Sequence, residues 1–371
     1  MTSTKIVDPK VDISGKKNGI YKFTLSNTNV SVANSIRRTI LTDIETVVID
    51  PDNINILHNT TQFNNEILCQ RLACIPIHIK DLSKSIDNLI LEVNVDNDGD
   101  YIKDVTTEDF ILKEATQGQP LSKENRDIVF PKNKFTGDYI LFSRLKPKIT
   151  TEIPGEKLHI QATFRKATAK ENGSYNVVST CGYGNTMDPI KIQDERDKFE
   201  KSLEEKNISA DDLSDKLMNW ENHTCKRYYK ENSYDFTLES IGIWTNREIV
   251  EMACDIIISK LAKIKKKIGE SQITIESSNT AIKNAFDVTL DDETYTIGKL
   301  IEYVLHYEYL LNKKVLSYVG FLKPHPHDSH SIIRLAYTSD DNTIDYIQDL
   351  LNTSVTIAQN ILLSIKEQFT D

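Results

Sequence analysis

The chain has 371 residues, too long for one compact core, so two or three domains are expected. Acidic residues outnumber basic ones, 55 to 45, giving a formal net charge of −10 and a pI near 5.4. That balance excludes a primary nucleic-acid binder, which needs a positive field to neutralise phosphates, and no stretch of about 18 apolar residues offers a membrane span. The amino terminus, Met1-Thr-Ser-Thr-Lys-Ile-Val-Asp8, lacks the apolar core of a signal peptide, so an intracellular protein is expected. Cys69, Cys74, Cys181, Cys225 and Cys254 form no C-x-x-C pair, which indicates neither a disulfide framework nor a cysteine-based zinc site.

In chain order, residues 19–27 put Tyr21, Phe23 and Leu25 on one face, the alternation of a half-buried strand. A helix over 31–45 follows, with Val32, Ala33, Ile36, Ile40 and Ile44 as its apolar stripe and Asn29 or Ser31 as its N-cap. Val47-Val48-Ile49 is β-branched and suits a strand. Arg37 and Arg38 flank the stripe; they read either as an ordinary solvated helix flank or as a guanidinium pair aimed at a partner protein.

At this stretch the sequence resembles the assembly subunit of cellular RNA polymerases. That family includes the third subunit of eukaryotic polymerase II, the archaeal D polypeptide and the bacterial alpha amino-terminal domain. Asn34-Ser-Ile-Arg-Arg-Thr39 with Val48-Ile-Asp50 looks like its signature. A second block, Asn65-Glu66-Ile-Leu-Cys-Gln-Arg71-Leu-Ala-Cys-Ile-Pro76-Ile77, resembles the family's "D-E-F-x-A-H-R-L-G-L-I-P-L". It matches at Glu66, Arg71, Leu72, Ile75 and Pro76 and departs at Gln70 and Ala73.

Between residues 51 and 232 the pattern is of short strands: Asn53–Leu57, Leu89–Val95, Ile128–Phe130, Tyr139–Phe142 and Leu158–Phe164. A short helix starts at Asn64-Asn65-Glu66 and is ended by Pro76. His159–Pro189 loosely resembles the strand–loop–strand that closes the family's second domain. Asp194–Lys206 and Ala210–Trp220 read as a charged helical hairpin, either simply solvated or an acidic docking surface. Cys225–Lys230, basic and aromatic, reads as the lead-in to a strand over Tyr234–Ser240, which resembles the family's "F-x-V-E-S-x-G".

Asn246 is expected to cap a long helix through Ile268, acidic early and lysine-rich late, as the helix dipole favours. Residues 269–281 are polar and read as a linker. The pattern then restarts: a strand over Ala285–Leu290, a helix over Thr296–Leu305, strands near Val315–Val319 and over Ser331–Tyr337, and a helix from Thr343 to Phe369. At 1.5 Å per residue that last helix runs roughly 40 Å, and its apolar stripe needs another helix laid along it.

This second half resembles the small partner of the assembly subunit, the eleventh subunit of polymerase II or the archaeal L polypeptide. Thr296-Ile297-Gly298 stands for "H-T-L-G-N", with Tyr295 and Lys299 as departures. Gly320-Phe321 with Pro324-His325-Pro326 stands for "G-Y-x-x-P-H-P".

The resemblance implies an α+β fold: an alpha-subunit-like dimerisation domain (1–50 plus 233–268) interrupted by a mostly-β domain (51–232) carrying an acidic helical insertion at 190–225. A linker (269–283) leads to a second α/β dimerisation domain (284–371), which pairs with the first as an intramolecular pseudo-dimer. It further implies a non-catalytic assembly subunit of a DNA-directed RNA polymerase without cofactor or metal. Interface residues would be Asn34, Arg37, Arg38, Glu66, Arg71, Pro76, Gly298, Pro324, His325 and Pro326. The implied partners are the largest and second-largest subunits and small subunits of the subunit 10 and 12 type, with DNA and RNA met only through the complex and no membrane contact. Such fusions are typical of large cytoplasmic DNA viruses, implying a virus factory and virion, or the nucleus if the source is cellular. The alternative is a metal-dependent hydrolase using His325, His327, Asp328 and His330. No P-loop, G-x-S-x-G or dinucleotide motif is present.

Overall fold

The structure, a computed structural model, describes residues 8–17, 19–82, 86, 88–115, 118–150, 152–205, 210–339 and 344–370. Residues 1–7, Lys206 and Thr343, which the sequence readings include, lie outside these. In chain order the first elements are β1 (Lys10–Lys17), β2 (Ile20–Ser26), α1 (Val30–Thr42), β3 (Glu45–Asn59), α2 (Asn65–Ala73), β4 (Leu89–Asp96), β5 (Lys103–Thr106), β6 (Phe110–Glu114) and α3 (Lys123–Val129). Next come β7 (Leu141–Leu145), β8 (Lys157–Thr168), β9 (Val178–Met187), α4 (Pro189–Glu204), α5 (Ala210–Asn222), β10 (Tyr229–Ser240) and α6 (Asn246–Gly269). The chain ends with β11 (Ile275–Ser277), β12 (Ala285–Asp291), α7 (Tyr295–Leu305), β13 (Leu316–Leu322), β14 (His330–Tyr337) and α8 (Ile344–Thr370).

These elements form two compact units. The first comprises Met1–Ile40, Thr180–Glu239 and Asn246–Asp371; the second comprises Leu41–Ser179 and Ser240–Thr245. The first unit holds two four-stranded antiparallel sheets, ordered β1-β2-β10-β9 and β11-β12-β14-β13. Each sheet is built from the same succession: edge strand, strand, short helix, edge strand, strand, long helix.

The likeness extends to individual positions. The six buried residues of α1 (Val32, Ala33, Ser35, Ile36, Thr39, Ile40) become, on adding 265, Ile297, Gly298, Leu300, Ile301, Val304 and Leu305 of α7, all buried. The nine buried residues of α6, from Asn246 to Ile268, become on adding 101 nine buried residues of α8, from Ile347 to Phe369.

α6 and α8 run antiparallel along each other. Lys366 Nζ reaches Asp255 at 2.7 and 2.8 Å, and Lys265 Nζ reaches Thr356 Oγ1 at 2.9 Å. Both contacts join residues that the 101-residue shift exchanges, since 255 goes to 356 and 265 to 366. Phe23 stacks on Phe236 at 4.7 Å and meets Phe369 edge-on at 5.0 Å, so the end of α8 closes the core of the first sheet. Burying such rows of Ile, Leu and Phe is the main stabilising term of this unit, at roughly 1.5–3 kcal/mol per fully buried side chain.

The second unit has a sheet ordered β3-β8-β4-β6 and a two-stranded ribbon, β5-β7. Its core centres on Phe110, with Phe130 and Phe142 edge-on at 5.3 and 5.7 Å. β3 is continuous where two strands are expected, Val47–Ile49 and Asn53–Leu57, because a bulge joins them: Ile49 pairs with Phe164 but Ile54 already with Ala162. Asp50 organises that bulge, accepting from Asp52 N at 3.3 Å and Asn53 Nδ2 at 2.6 Å.

Ile128–Phe130, expected as a strand, is the end of α3. Ser122 caps this helix by accepting from Asn125 N, and Ile128 faces solvent. The expected linker over 269–281 contains β11, which pairs with β12. α7 continues into a π-helical turn over His306–Asn312, closed by Lys313 N donating to Glu308 O.

Candidate assembly interface

α1 begins where Asn29 Oδ1 accepts from Ser31 N at 2.9 Å, one of the two caps expected. That start fixes the helical phase and turns Asn34 and Arg37 to the same side. Arg37 Nε and Nη2 donate to Asn34 Oδ1 at 3.2 and 3.0 Å, so the fork is preorganised by its i−3 neighbour. Arg37 is half-buried, and its charge is felt by Cys181 and Tyr183 on β9. Arg38 is exposed, yet its Nε donates to Thr296 Oγ1 at 3.2 Å, tying α1 to the first turn of α7. Sequence reasoning had Thr296 only as a motif residue; nothing local in the sequence signals a partner 258 positions away.

Gly298 lies in α7 against β13. A Cβ there would stand 1.9 Å from Cε2 of Phe321, so the approach of helix to strand requires glycine. Pro324, His325 and Pro326 are exposed in the turn between β13 and β14. His325 Nδ1 accepts from His327 N at 3.2 Å, and His325 O accepts from Asp328 N at 3.1 Å. The histidine thus uses a ring nitrogen to shape its own turn. Among the described residues no group of three His, Cys, Asp or Glu side chains is placed to hold a metal ion, which removes the ligand set of the hydrolase alternative.

In the second unit Asn64 caps α2 by accepting from Ile67 N, and Glu66 is exposed in the first turn. Arg71 donates from Nε to Phe142 O at 2.8 Å and from Nη2 to Leu141 O at 3.1 Å, with its guanidinium 5.4 Å from the Phe63 ring. Arg71, Leu141 and Phe142, with Gln70, Cys74, Ile75, Pro76 and Ile140, wall an open apolar groove of about 340 Å³. Gly242, with φ +106°, makes the turn that the Glu-Ser-x-Gly motif encodes. There Ser240 Oγ donates to Trp244 O at 2.6 Å and accepts from Gly242 N at 3.0 Å.

Cys181 and Cys254 are buried. Burial pushes the Cys181 and Cys254 thiols up to about 12, which keeps both protonated at neutral pH. The arrangement offers packing faces instead: a guanidinium fork on α1, an apolar groove beside α2 and an exposed Pro-His-Pro turn.

A profile of the RNA polymerase Rpb3/Rpb11 dimerisation domain matches residues 22–261. The chain belongs to this family. The matched span runs from β2 into α6. Over 275 residues the chain is 28% identical to DNA-directed RNA polymerase II subunit RPB3 of Schizosaccharomyces pombe, covering 69% of this chain and 86% of that one. It is 22% identical over 285 residues to DNA-directed RNA polymerase subunit Rpo3 of Archaeoglobus fulgidus, covering 71% and 99%. It is 25% identical over 287 residues to the Rpo3 of Methanosphaera stadtmanae, again covering 71% and 99%. Asn34, Arg37, Arg38, Glu66, Arg71 and Pro76 lie inside the family match; Gly298 and the Pro324–Pro326 turn lie beyond it.

Proposed function

We propose that this protein is a non-catalytic assembly subunit of a multisubunit DNA-directed RNA polymerase, in which the third-subunit and eleventh-subunit halves are fused. The observation that carries this reading is the repeated strand and helix succession of the first unit, with buried positions of α6 recurring in α8 at a fixed step of 101. Each half alone would leave an apolar helix stripe open to water, and each stripe is covered by the other. A short tether raises the effective concentration of the second half to the order of millimolar, so pairing does not depend on two expression levels. In this reading residues 1–50 with 233–268 form the third-subunit-like half and 284–371 the eleventh-subunit-like half. Most of the span 51–232 is inserted, with β9 (Val178–Met187) returning to the sheet of the third-subunit-like half, and the connector 269–283 gives β11 (Ile275–Ser277) to the sheet of the other half.

The paired halves dock the largest and second-largest subunits and the small subunits of the 10 and 12 type; nucleic acid is met only through the complex. Fusion of the halves favours a viral polymerase, working in a cytoplasmic virus factory and packaged in the virion. Asn34, Arg37 and Arg38 face the second-largest subunit, supported by the exposure of Arg38 and the prearranged fork of Arg37. Glu66, Arg71, Pro76, Gly298 and Pro324–Pro326 shape or line further contacts.

Arg37→Glu with Arg38→Glu tests the reading. The variant is expected to keep its circular dichroism spectrum and lose co-purification with the second-largest subunit. Arg37→Glu alone, which leaves the bond from Arg38 to Thr296 intact, controls for damage to the fold. Unimpaired co-purification removes these residues from the interface, and a wild-type chain that captures no polymerase subunit in its native setting refutes the function.

A further inference from the structure

Resting on the paired-halves reading, the ends of the two long helices differ at one informative position. Gln368 near the end of α8 accepts from Val11 N through Oε1 at 2.8 Å and donates from Nε2 to Pro9 O at 2.8 Å. It thereby satisfies the Val11 amide on the open edge of β1 and the carbonyl just before the strand, at an edge that would otherwise be a template for pairing with another chain. The residue 101 positions earlier, at the matching place on α6, is Lys267, whose Nζ lies 4.0 Å from Asp291 at the end of β12. Each helix end therefore suits the sheet of the opposite half.

Exchanging the ends breaks both matches. A lysine has three donors and no acceptor, so it cannot receive the Val11 amide. An amide opposite Asp291 loses the charge. We propose that Gln368 and Lys267 are the residues that make the pairing heterotypic, so that α8 of the same chain, and not α6 of a second copy, is accepted at the β1 edge. The excluded partner is a second copy of this chain, rejected because its α6 brings no acceptor for the Val11 amide.

The test uses the full-length chain. In Gln368→Lys, exchange of the Val11 amide with deuterium is expected to accelerate about tenfold, the equivalent of one lost hydrogen bond. Gln368→Glu, which keeps the acceptor, should retain most of the protection. In the reciprocal variant, Lys267→Gln with Gln368→Lys, both helix ends suit a second copy, and native mass spectrometry is expected to show a gain of dimer over wild type. Unchanged Val11 exchange in Gln368→Lys overturns the clamp. A reciprocal variant with the wild-type distribution of species overturns the selectivity. Neither readout involves polymerase subunits, so failure here is distinguishable from failure of the assembly function.

Discussion

Replacing Gly298 by alanine opposes two effects of known sign. In an ordinary helix interior the change stabilises by about 1 kcal/mol, because glycine carries the larger backbone entropy. In α7 the added carbon would lie 1.9, 2.2 and 2.5 Å from three atoms of the Phe321 ring, against a normal contact of about 3.5 Å. The ring cannot swing aside freely. It is 8% exposed, meets Tyr295 edge-on at 5.0 Å, and belongs to a residue paired with Ile333 in the β13–β14 ladder.

Overpacking of this kind costs about 1–3 kcal/mol, and a clash this deep belongs at the upper end, leaving a net loss of about 2 kcal/mol. Native-state amide exchange of α7 reads that loss as opening roughly 30-fold more frequent. The decisive comparison is the Phe321→Ala background. There the obstacle is gone, and Gly298→Ala should slow exchange by about fivefold, leaving only the helix-propensity gain. Slower α7 exchange for Gly298→Ala in the wild-type background would refute the argument, since the close approach would then impose no penalty.

Other expectations follow from the same geometry. Glu92 is 8% exposed and held down to about 2, first by the hydrogen bond from Lys113, with His159 and Gln161 adding theirs against desolvation. A depressed carboxyl contributes stability above its unfolded pKa of about 4.5 and loses it as pH falls towards 2. The second unit of Glu92→Gln should therefore be about 2 kcal/mol less stable at neutral pH, with the gap closing across that acid window in urea titrations. Arg71→Lys should accelerate amide exchange at the start of β7 nearly as much as Arg71→Ala, because an ammonium cannot reach both the Leu141 and Phe142 carbonyls as the fork does. Leu261 and Leu362, related by the 101-residue step and both fully buried, should each lose about 2–5 kcal/mol on truncation to alanine, measured by denaturation of the full chain. A loss confined to one of them would separate the two helices energetically.

The long helices were legible because nothing else explains apolar residues every three or four positions over more than twenty residues. α1 and its Asn29 cap were legible for the same reason, with a cap residue placed at the onset. Short elements were not. Ile128–Phe130 is an apolar triplet that suits a strand or the last turn of a helix, and only Ser122, six residues earlier, decides for the helix. β11 has three residues, none of them fully buried, so it leaves no alternation to read. The residues named as the interface were found by motif, but their geometry was hidden. Arg71 spends its donors on carbonyls 70 and 71 positions away, and Arg38 on a hydroxyl 258 away.

The restart of the pattern after residue 281 was legible, but the register of the repeat was hidden for a different reason. What recurs at the 101-residue step is burial, not identity: Asn246 becomes Ile347, Ala253 becomes Ser354, and Ile268 becomes Phe369. An apolar seam between two antiparallel helices constrains volume and phase and tolerates exchange among Ile, Leu, Val and Phe, so sequence likeness erodes while the pattern of buried positions persists. The connection after the first helix of each half behaves in the opposite way. After α7 it is a single π-helical turn before β13; after α1 it runs through β3 to β8 of the second unit before β9. A connection that leaves from a helix end and returns to an edge strand can lengthen without disturbing the seam. The long excursion is therefore carried by only one of the two sheets, while the seam between α6 and α8 is left undisturbed.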